Sequence, residues 1–599
     1  MHQKTETLQS HRDRSVAPPR VSRALCALWG LCILVVVACF GFFASDRFDA
    51  EPPAPRFIDV TKSSGISFAH NNGATSQNLL PETMGSGVAF FDFDNDGDQD
   101  LVFANSDYWE WERQPGADPT RLAVYRNDGQ GHFEEVAMEL GLAVSMYGMG
   151  IAAADYDNDG WSDLFLTGVG PNRLFRNLRG NGFVEVSAAA GVRGLENDWS
   201  TSAAWVDVDN DGLLDLFVCN YVRWARELGI ELAFKLAGIG HGYGPQVNFT
   251  GTFPYLYLNR GDGTFREVAR SRGMELLEDS GFPAARSLAV APIDLDDDGW
   301  LDLVVANHEA APFVFRNSGG GRFEEIGSLY GAADGADAAG RSMGIDVARL
   351  GQEDELGISL GSFANEMNRV YRNSGDSVVF AETALPDEEI REASLQRFGM
   401  FFFDFDLDGR LDLLGVNGFL EKEINRIDPE MDFRRPAQLF WNAGARSAQP
   451  FIEVEAERGE PDDLFEPMIG RGSAFADVDG DGSLDVVVTQ NGGAPMLLKN
   501  EAAEGNNWLR IKLVGTTCNR DAIGAKVEAR IGHRVLHGRV MPTRSYLSQS
   551  ELPVTIGLGK GWKVREVVVR WPDGAIESFC EVPINRQVTL VQGEGEDAS

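Results

Sequence analysis

Asp92-Phe-Asp94-Asn-Asp96-Gly97-Asp98-Gln-Asp100 is the stretch that decides how this chain is read. Its pattern, D-x-D-x-D-G-x-x-D, returns five times, always after an apolar run rich in small residues. The later acids are Asp155, Asp157, Asp159 and Asp163; Asp207, Asp209, Asp211 and Asp215; Asp294, Asp296, Asp298 and Asp302; Asp404, Asp406, Asp408 and Asp412; and Asp477, Asp479, Asp481 and Asp485. Calcium is a hard cation that takes six to eight oxygens at roughly 2.3–2.6 Å. Carboxylates at positions 1, 3 and 5 of a tight loop converge on one point, and Gly at position 6 allows the positive φ of a sharp turn. Position 7 offers its carbonyl whatever its side chain, which fits the variety found there: Asp98, Trp161, Leu213, Trp300, Arg410 and Ser483. Position 9 returns a carboxylate. Four acids packed into nine residues repel one another unless a cation neutralises them. One such loop reads equally well as an acidic surface turn, but six together predict up to six bound Ca²⁺. An EF-hand needs Glu at position 12 and flanking helices. Here the flanks are short and strand-like, such as Gly87-Val-Ala-Phe-Phe before and Leu101-Val-Phe after.

The loops begin 63, 52, 87, 110 and 73 residues apart, and the gap of 110 spans about two units. Inside that gap Ser342-Met-Gly-Ile-Asp346-Val-Ala-Arg-Leu-Gly-Gln-Glu-Asp354 keeps the apolar lead-in and loses the acid ladder, which marks a seventh unit without a metal. Two further phrases travel with the loops. One ends in Asn, as in Tyr125-Arg-Asn127, Phe175-Arg-Asn177, Leu258-Asn259, Phe315-Arg-Asn317, Trp441-Asn442 and Lys499-Asn500; the other is Phe-x-Glu/Asp-Val, as at Phe133, Phe183 and Phe265. Repeats of several short strands predict a β-propeller. The last unit lacks its own Phe-x-Glu-Val strand, and one stands at Phe57, ahead of the first loop. The N-terminal strand is therefore expected to complete the last blade and close the ring.

Residues 57–502 resemble the FG-GAP/VCBS repeats of integrin α-chain propellers. Beyond them, alternating segments such as Trp508–Val514, Ala525–Arg530, Val564–Arg570 and Gln587–Val591 predict a small β-domain over 503–593. Asn519, Gly524-Ala-Lys-Val527, Tyr546-Leu-Ser-Gln549, Gly557-Leu-Gly559 and Val569-Arg-Trp-Pro-Asp-Gly574 resemble the ASPIC/UnbV domain. The combination resembles the cartilage acidic protein 1-like family. That resemblance implies an extracytoplasmic calcium-binding protein linked to adhesion or matrix, with no established reaction. The Cys that often stands near Gly-Pro in a blade insertion of that family is missing at Tyr243-Gly-Pro245.

The expected fold class is all-β: a seven-bladed propeller, a small C-terminal β-domain and one N-terminal transmembrane helix. Residues 24–44 carry no charge and are long enough to span a bilayer. The 23 residues before them hold five Lys/Arg against two acids, which keeps the N-terminus in the cytoplasm. We read 1–23 as a basic cytoplasmic segment, 24–44 as a signal anchor, 45–56 as a linker and 594–599 as an acidic tail. A cleaved signal peptide, or a lipid on Cys39 within Val36-Val-Ala-Cys39, are the alternatives. Cys518 and Cys580 could pair, although sequence alone leaves this open.

A net charge of −38 argues against nucleic acid or anionic lipid as a partner. No H-E-x-x-H, G-x-S-x-G or Walker phrase occurs. His70 and His308 follow strand-like runs and are read as packed side chains, with a place facing a central funnel as the alternative. His241-Gly-Tyr-Gly-Pro245 and the amphipathic stretch Trp224–Leu236 lie in the longest insertion, where binding residues commonly sit. Asn248-Phe-Thr250 matches a glycosylation acceptor. The expected activity is that of a membrane-tethered interaction module for a protein or polysaccharide. A carbohydrate-active enzyme with its site in the funnel is the alternative, and a membrane assembly factor is a third reading.

Overall fold

The computed structural model describes residues 51–598, apart from 75–76, 117, 232–234, 237–239, 244–248, 328–341, 351–354, 363–368, 373–380, 385–395, 427–428, 430, 445–446, 448, 457–461, 504 and 562. The anchor expected at 24–44 lies outside the described residues. Among those described, no helix is long and apolar enough to cross a membrane.

The protein is all-β, built of small antiparallel sheets with a few short helices. Seven sheets carry the repeats. Their first strands are Val88–Phe91, Gly148–Ala154, Ser200–Val206, Ser287–Ile293, Ser342–Arg349, Arg397–Phe403 and Gly470–Ala476. In the second sheet, for example, Gly148–Ala154 pairs with Asp163–Gly168, then Arg173–Asn177, then Phe183–Glu185. The seventh sheet takes its fourth strand from the other end of the repeats: Phe57 pairs with Asn500 and Asp59 with Leu498. The eroded unit forms a complete sheet of four strands at Ser342–Ala384.

The first strands are buried along almost their whole length. Each lies against the first strand of the next sheet, and the last lies against the first. Small residues make this approach possible. A Cβ on Gly150 would stand 2.6 Å from Thr201 O, closer than real contacts allow. This is the physical reason for the Gly/Ala-rich run that precedes each acidic loop.

The space between the first strands is filled by the chain itself. Segment 543–550, which contains Tyr546-Leu-Ser-Gln549, enters from the C-terminal part. Ala89 pairs with Gln549, and the Gln549 side chain bonds both the N–H (2.8 Å) and the carbonyl (2.9 Å) of Ala153. Leu547 N–H donates to Ser202 Oγ at 2.9 Å, Ser545 bridges to Ile345, and Met400 N–H donates to Ser545 Oγ at 3.0 Å. Ser545 Oγ lies 3.1 Å from Ser473 Oγ, and Thr543–Arg544 packs against Ser287–Ile293, so all seven first strands are touched. At its tip the Tyr546 hydroxyl donates to Met84 O (2.7 Å), next to the buried turn Leu80–Thr83. An open central funnel is therefore corrected to a filled one. His70 and His308 are buried in packed surroundings.

The C-terminal part has two sheets. One orders Val554–Gly559, Asn507–Val514 and Gln587–Val591; the other orders Arg534–Arg539, Lys526–Ile531, Glu566–Arg570, Ile576–Cys580 and Glu596–Asp597. In the last pairing Glu577 lies opposite Asp597. Leu509, Val527, Val567 and Trp571 share one buried cluster with Trp205, Phe217 and Leu303 of the repeats. Cys518 is buried and Cys580 exposed, and both are free. Among the described residues the amphipathic stretch is helical over Arg226–Glu231, and Lys235–Leu236 pairs with Gly240–His241. Residues 244–248, with the expected glycosylation acceptor Asn248, lie outside the described residues.

Candidate metal centre

All six acidic loops join the first strand of a sheet to its second. The chain turns as position 6 requires: Gly97, Gly160, Gly212, Gly299, Gly409 and Gly482 have φ between 86° and 99°. Position 4 is left-handed as well, at Asn95, Asn158, Asn210, Asp297, Leu407 and Gly480. Asn tolerates that conformation better than most residues. It also reaches sideways here: Asn95, Asn158 and Asn210 donate to Gly160 O, Gly212 O and Gly299 O of the neighbouring loop at 2.7, 3.0 and 3.1 Å.

The acids converge. Carboxylate oxygens of Asp92, Asp94 and Asp96 lie within 4.8 Å of one another, as do those of Asp155, Asp157 and Asp163; Asp207, Asp209 and Asp215; Asp294, Asp296 and Asp302; and Asp404, Asp406 and Asp412. Several oxygens aimed into these groups are buried without a hydrogen-bond partner: Oδ1 of Asp92, Asp94, Asp157, Asp209, Asp294, Asp296, Asp477 and Asp479, and Oδ2 of Asp163. A buried carboxylate oxygen left without a donor is costly. Burial pushes Asp155 up to about 8 and Asp207, Asp302 and Asp477 up to about 7, and neighbouring carboxylates push the same way. Asp412 and Asp485 are raised for the same first reason. A dication among these oxygens would supply the missing partner and restore ionisation. The donor set is all hard oxygen, so the residues present fit Ca²⁺.

Position 9 does more than close a shell. Asp100 accepts from Phe93 N (3.1 Å) and from Asn127 N (2.9 Å), and Asp215, Asp302, Asp412 and Asp485 repeat both bonds. The Asn of each repeated phrase extends the brace with its side chain. Asn177 Nδ2 donates to Ser162 O in its own loop (2.9 Å) and to Phe93 O in the preceding loop (2.8 Å). Asn259, Asn317 and Asn500 do the same to Tyr156 O, Val208 O and Phe405 O. Asn127 closes the series by reaching Val478 O of the last loop at 2.8 Å. The invariable Asn of the phrase was the sequence signal for this clamp. Its role needed the fold to be visible, because each acceptor lies in another repeat.

The eroded unit keeps the clamp and inverts the charge. Arg349 stands where the other loops have their first Asp and pairs with Asp297 at 2.6 Å, while Leu350 O accepts from Asn442 Nδ2 at 2.9 Å. The buried carboxylate of Asp346 faces Arg544 at 3.4 Å and Arg539 at 4.0 Å. His70 Nδ1 accepts from Gly492 N at 3.1 Å, and burial lowers its pKa to about 3. His308 Nδ1 lies 3.0 Å from the Tyr221 hydroxyl.

The FG-GAP-like repeat family matches residues 92–166, 155–218 and 294–354, and the ASPIC and UnbV family matches 515–597. The chain carries FG-GAP-like repeats followed by an ASPIC and UnbV domain. It is homologous over most of its length to cartilage acidic protein 1. It is 26% identical to the Xenopus tropicalis protein over 556 residues, which cover 86% of this chain and 75% of that protein. It is 25% identical to the Homo sapiens protein over 558 residues, covering 87% and 75%. Among solved structures, an Agrocybe aegerita lectin aligns over 68% of this chain and 86% of its own, at 16% identity and a TM-score of 0.38.

The ASPIC and UnbV domain covers the acidic loops of the FG-GAP-like repeats. Asp521 accepts from Asp155 N at 2.7 Å and Glu551 from Asp477 N at 3.1 Å. Arg520 N donates to Asn158 Oδ1 (2.9 Å), Asn506 to Asp406 O (2.6 Å) and Arg534 to Asp408 O (3.0 Å). Asn519, one of the residues that mark this domain, folds back on Ile523 through both its amide groups. Between the domain and the loops opens a hollow of about 690 Å³, lined among others by Asp207, Asp294, Lys526, Arg539 and Trp571.

Proposed function

We propose that this chain is a calcium-loaded, seven-bladed propeller that acts outside the cytoplasm as an interaction module for a protein or polysaccharide. The observation that carries the metal part is the set of buried carboxylate oxygens without partners, repeated at the first and third positions of the loops. Seven four-stranded sheets whose first strands neighbour one another in a cycle support the blade count. The extracytoplasmic setting rests on the homology to cartilage acidic protein 1, whose name refers to cartilage and to no reaction. Weak calcium loops suit such a setting, since extracellular modules bind at about 10⁻⁴–10⁻³ M. The segment 24–44 would tether the module to the membrane.

The calcium would be structural. A ligand of the folded state alone stabilises it by mass action. The carbohydrate-active-enzyme reading needs acids gathered in an open funnel, and the axis is filled by residues 543–550. The filled axis favours interaction through the exposed insertions or the ASPIC and UnbV domain. Equilibrium dialysis of the full chain in detergent against calcium-45 tests the metal part. Several bound ions per chain, and a melting temperature that falls on adding EGTA, are expected. A chain that binds no calcium at millimolar concentration would refute it.

A further inference from the structure

The six loops are not equivalent. In the Asp92, Asp294 and Asp477 loops a cation of the ASPIC and UnbV domain reaches the first carboxylate. Lys512 Nζ lies 3.3 Å from Asp92 Oδ2 and Lys526 Nζ 2.8 Å from Asp294 Oδ2, whereas Arg510, 4.0 Å from Asp477 Oδ2, is already neutralised by the buried Glu551, whose two carboxylate oxygens it meets. The same three loops carry a second cation on the carboxylate at position 3. Arg126 meets Asp94 at 3.2 Å, Arg316 meets Asp296 at 2.6 Å, and Lys499 pairs with Asp479. These are also the loops whose first carboxylate keeps Oδ1 buried and without a partner. In the other three, Oδ1 of Asp155, Asp207 and Asp404 accepts from the backbone of position 5 at 2.9, 3.1 and 3.0 Å. The Asp155 and Asp207 loops show no ion pair to their carboxylates among the described residues, and the Asp404 loop has only its own Arg410 on Asp408.

We propose that Lys512 and Lys526 are positioning counter-cations that make the Asp92 and Asp294 loops the two weaker calcium sites of the six. They couple the weaker class to the seating of the ASPIC and UnbV domain. The proposal rests on the calcium reading above. In the metal-free loop each cation pairs with the first carboxylate and so helps to keep the domain docked over the acids. Once Ca²⁺ enters, the same cation stands about 5 Å from a double positive charge. Even at the dielectric of water, that opposition weakens binding by roughly tenfold or more. Fixing one carboxylate rotamer returns only a few-fold, so repulsion decides the sign.

The test is calcium-45 dialysis of the full chain in detergent, with Lys512→Met and Lys526→Met, each also as Lys→Arg. These lysines are 37% and 27% exposed, and methionine keeps most of the apolar stem. Wild type should titrate with two weaker sites and four tighter ones. Each methionine variant should move one weak site about tenfold tighter, while the arginine variants titrate like wild type. In EGTA the methionine variants should be cleaved faster by protease after residue 503, a readout that separates lost docking from altered affinity. Six equivalent sites, or methionine variants with unchanged or weaker binding, would overturn the proposal and leave the calcium reading intact. A wild type that binds no calcium would overturn both.

Discussion

Replacing Asn177 by Ala tests whether the repeats are held by the side-chain clamp or only by sheet packing. Asn177 is 2% exposed. Its amide donates to Phe93 O at 2.8 Å and Ser162 O at 2.9 Å, and its oxygen accepts from Gly180 N at 2.9 Å. Each buried hydrogen bond nets about 1 kcal/mol, and a partner left without water costs more. Three bonds lost together predict about 3 kcal/mol. A folded region of this size has an unfolding entropy of about 1.1 kcal/mol/K near 60 °C, so Tm should fall by about 3 °C. Calorimetry at saturating calcium measures it, with urea titration as the second probe. Asn127→Ala is the informative companion, because its acceptor Val478 O lies across the junction of the last and first sheets. With the ring closed in solution, the two substitutions should cost alike. A loss below about 1 kcal/mol for Asn177→Ala would refute the clamp. A full loss there, with Asn127→Ala neutral, would refute closure.

Further outcomes follow from neighbouring features. Gly150→Ala places a methyl 2.6 Å from Thr201 O and 2.9 Å from Thr167 Oγ1 and should destabilise by about 1–3 kcal/mol, read by urea unfolding. Gln549→Ala removes both bonds to Ala153 and should cost about 2 kcal/mol in the same assay. His70 has its folded pKa depressed to about 3, so its contribution is present above about 6.5 and is lost as pH falls towards 3. Asn can accept from Gly492 in its place, so a stability–pH curve for His70→Asn should lose that part of the acid slope.

The repeats were legible because each carries its own chemistry: four acids, a glycine and an apolar lead-in at fixed spacing. Ring closure was legible too, since Phe57 supplies the strand missing after Asn500. The filled axis was not. Tyr546-Leu-Ser-Gln549 reads as a motif of the C-terminal β-domain, and its partners Ala89, Ala153, Ser202 and Ile345 are hundreds of residues away. Val554–Gly559 is hidden in the sequence, because two glycines in Gly557-Leu-Gly559 are weak strand formers. In the structure it is a strand paired with Asn507–Val514, whose Gly557 lies too close to Asp404 and Leu407 for any side chain. The unequal environments of the six loops were equally hidden, because the cations that distinguish three of them come partly from the ASPIC and UnbV domain.

The same carboxylates set a pH dependence whose sign depends on the metal. In the metal-free fold Asp155 titrates at about 8 and Asp207, Asp302 and Asp477 at about 7, against roughly 3.9 when unfolded. A raised folded pKa means that the folded state holds protons the unfolded chain has released. Stability is then fully present below about pH 4 and is lost as pH rises through the folded values. Above pH 6.5 the unfolded His70 becomes mostly neutral and its opposing slope fades, so the carboxylates dominate there, each contributing up to about 1.4 kcal/mol per pH unit. Calcium reverses the slope, because it binds the ionised form and a higher pH removes the competing protons. Melts in EGTA should therefore fall from pH 6.5 to 8, while melts in millimolar calcium stay level or rise. An EGTA curve that rises over that interval would show that the loops are ionised without metal, and that their crowding is relieved by the cations of the protein itself.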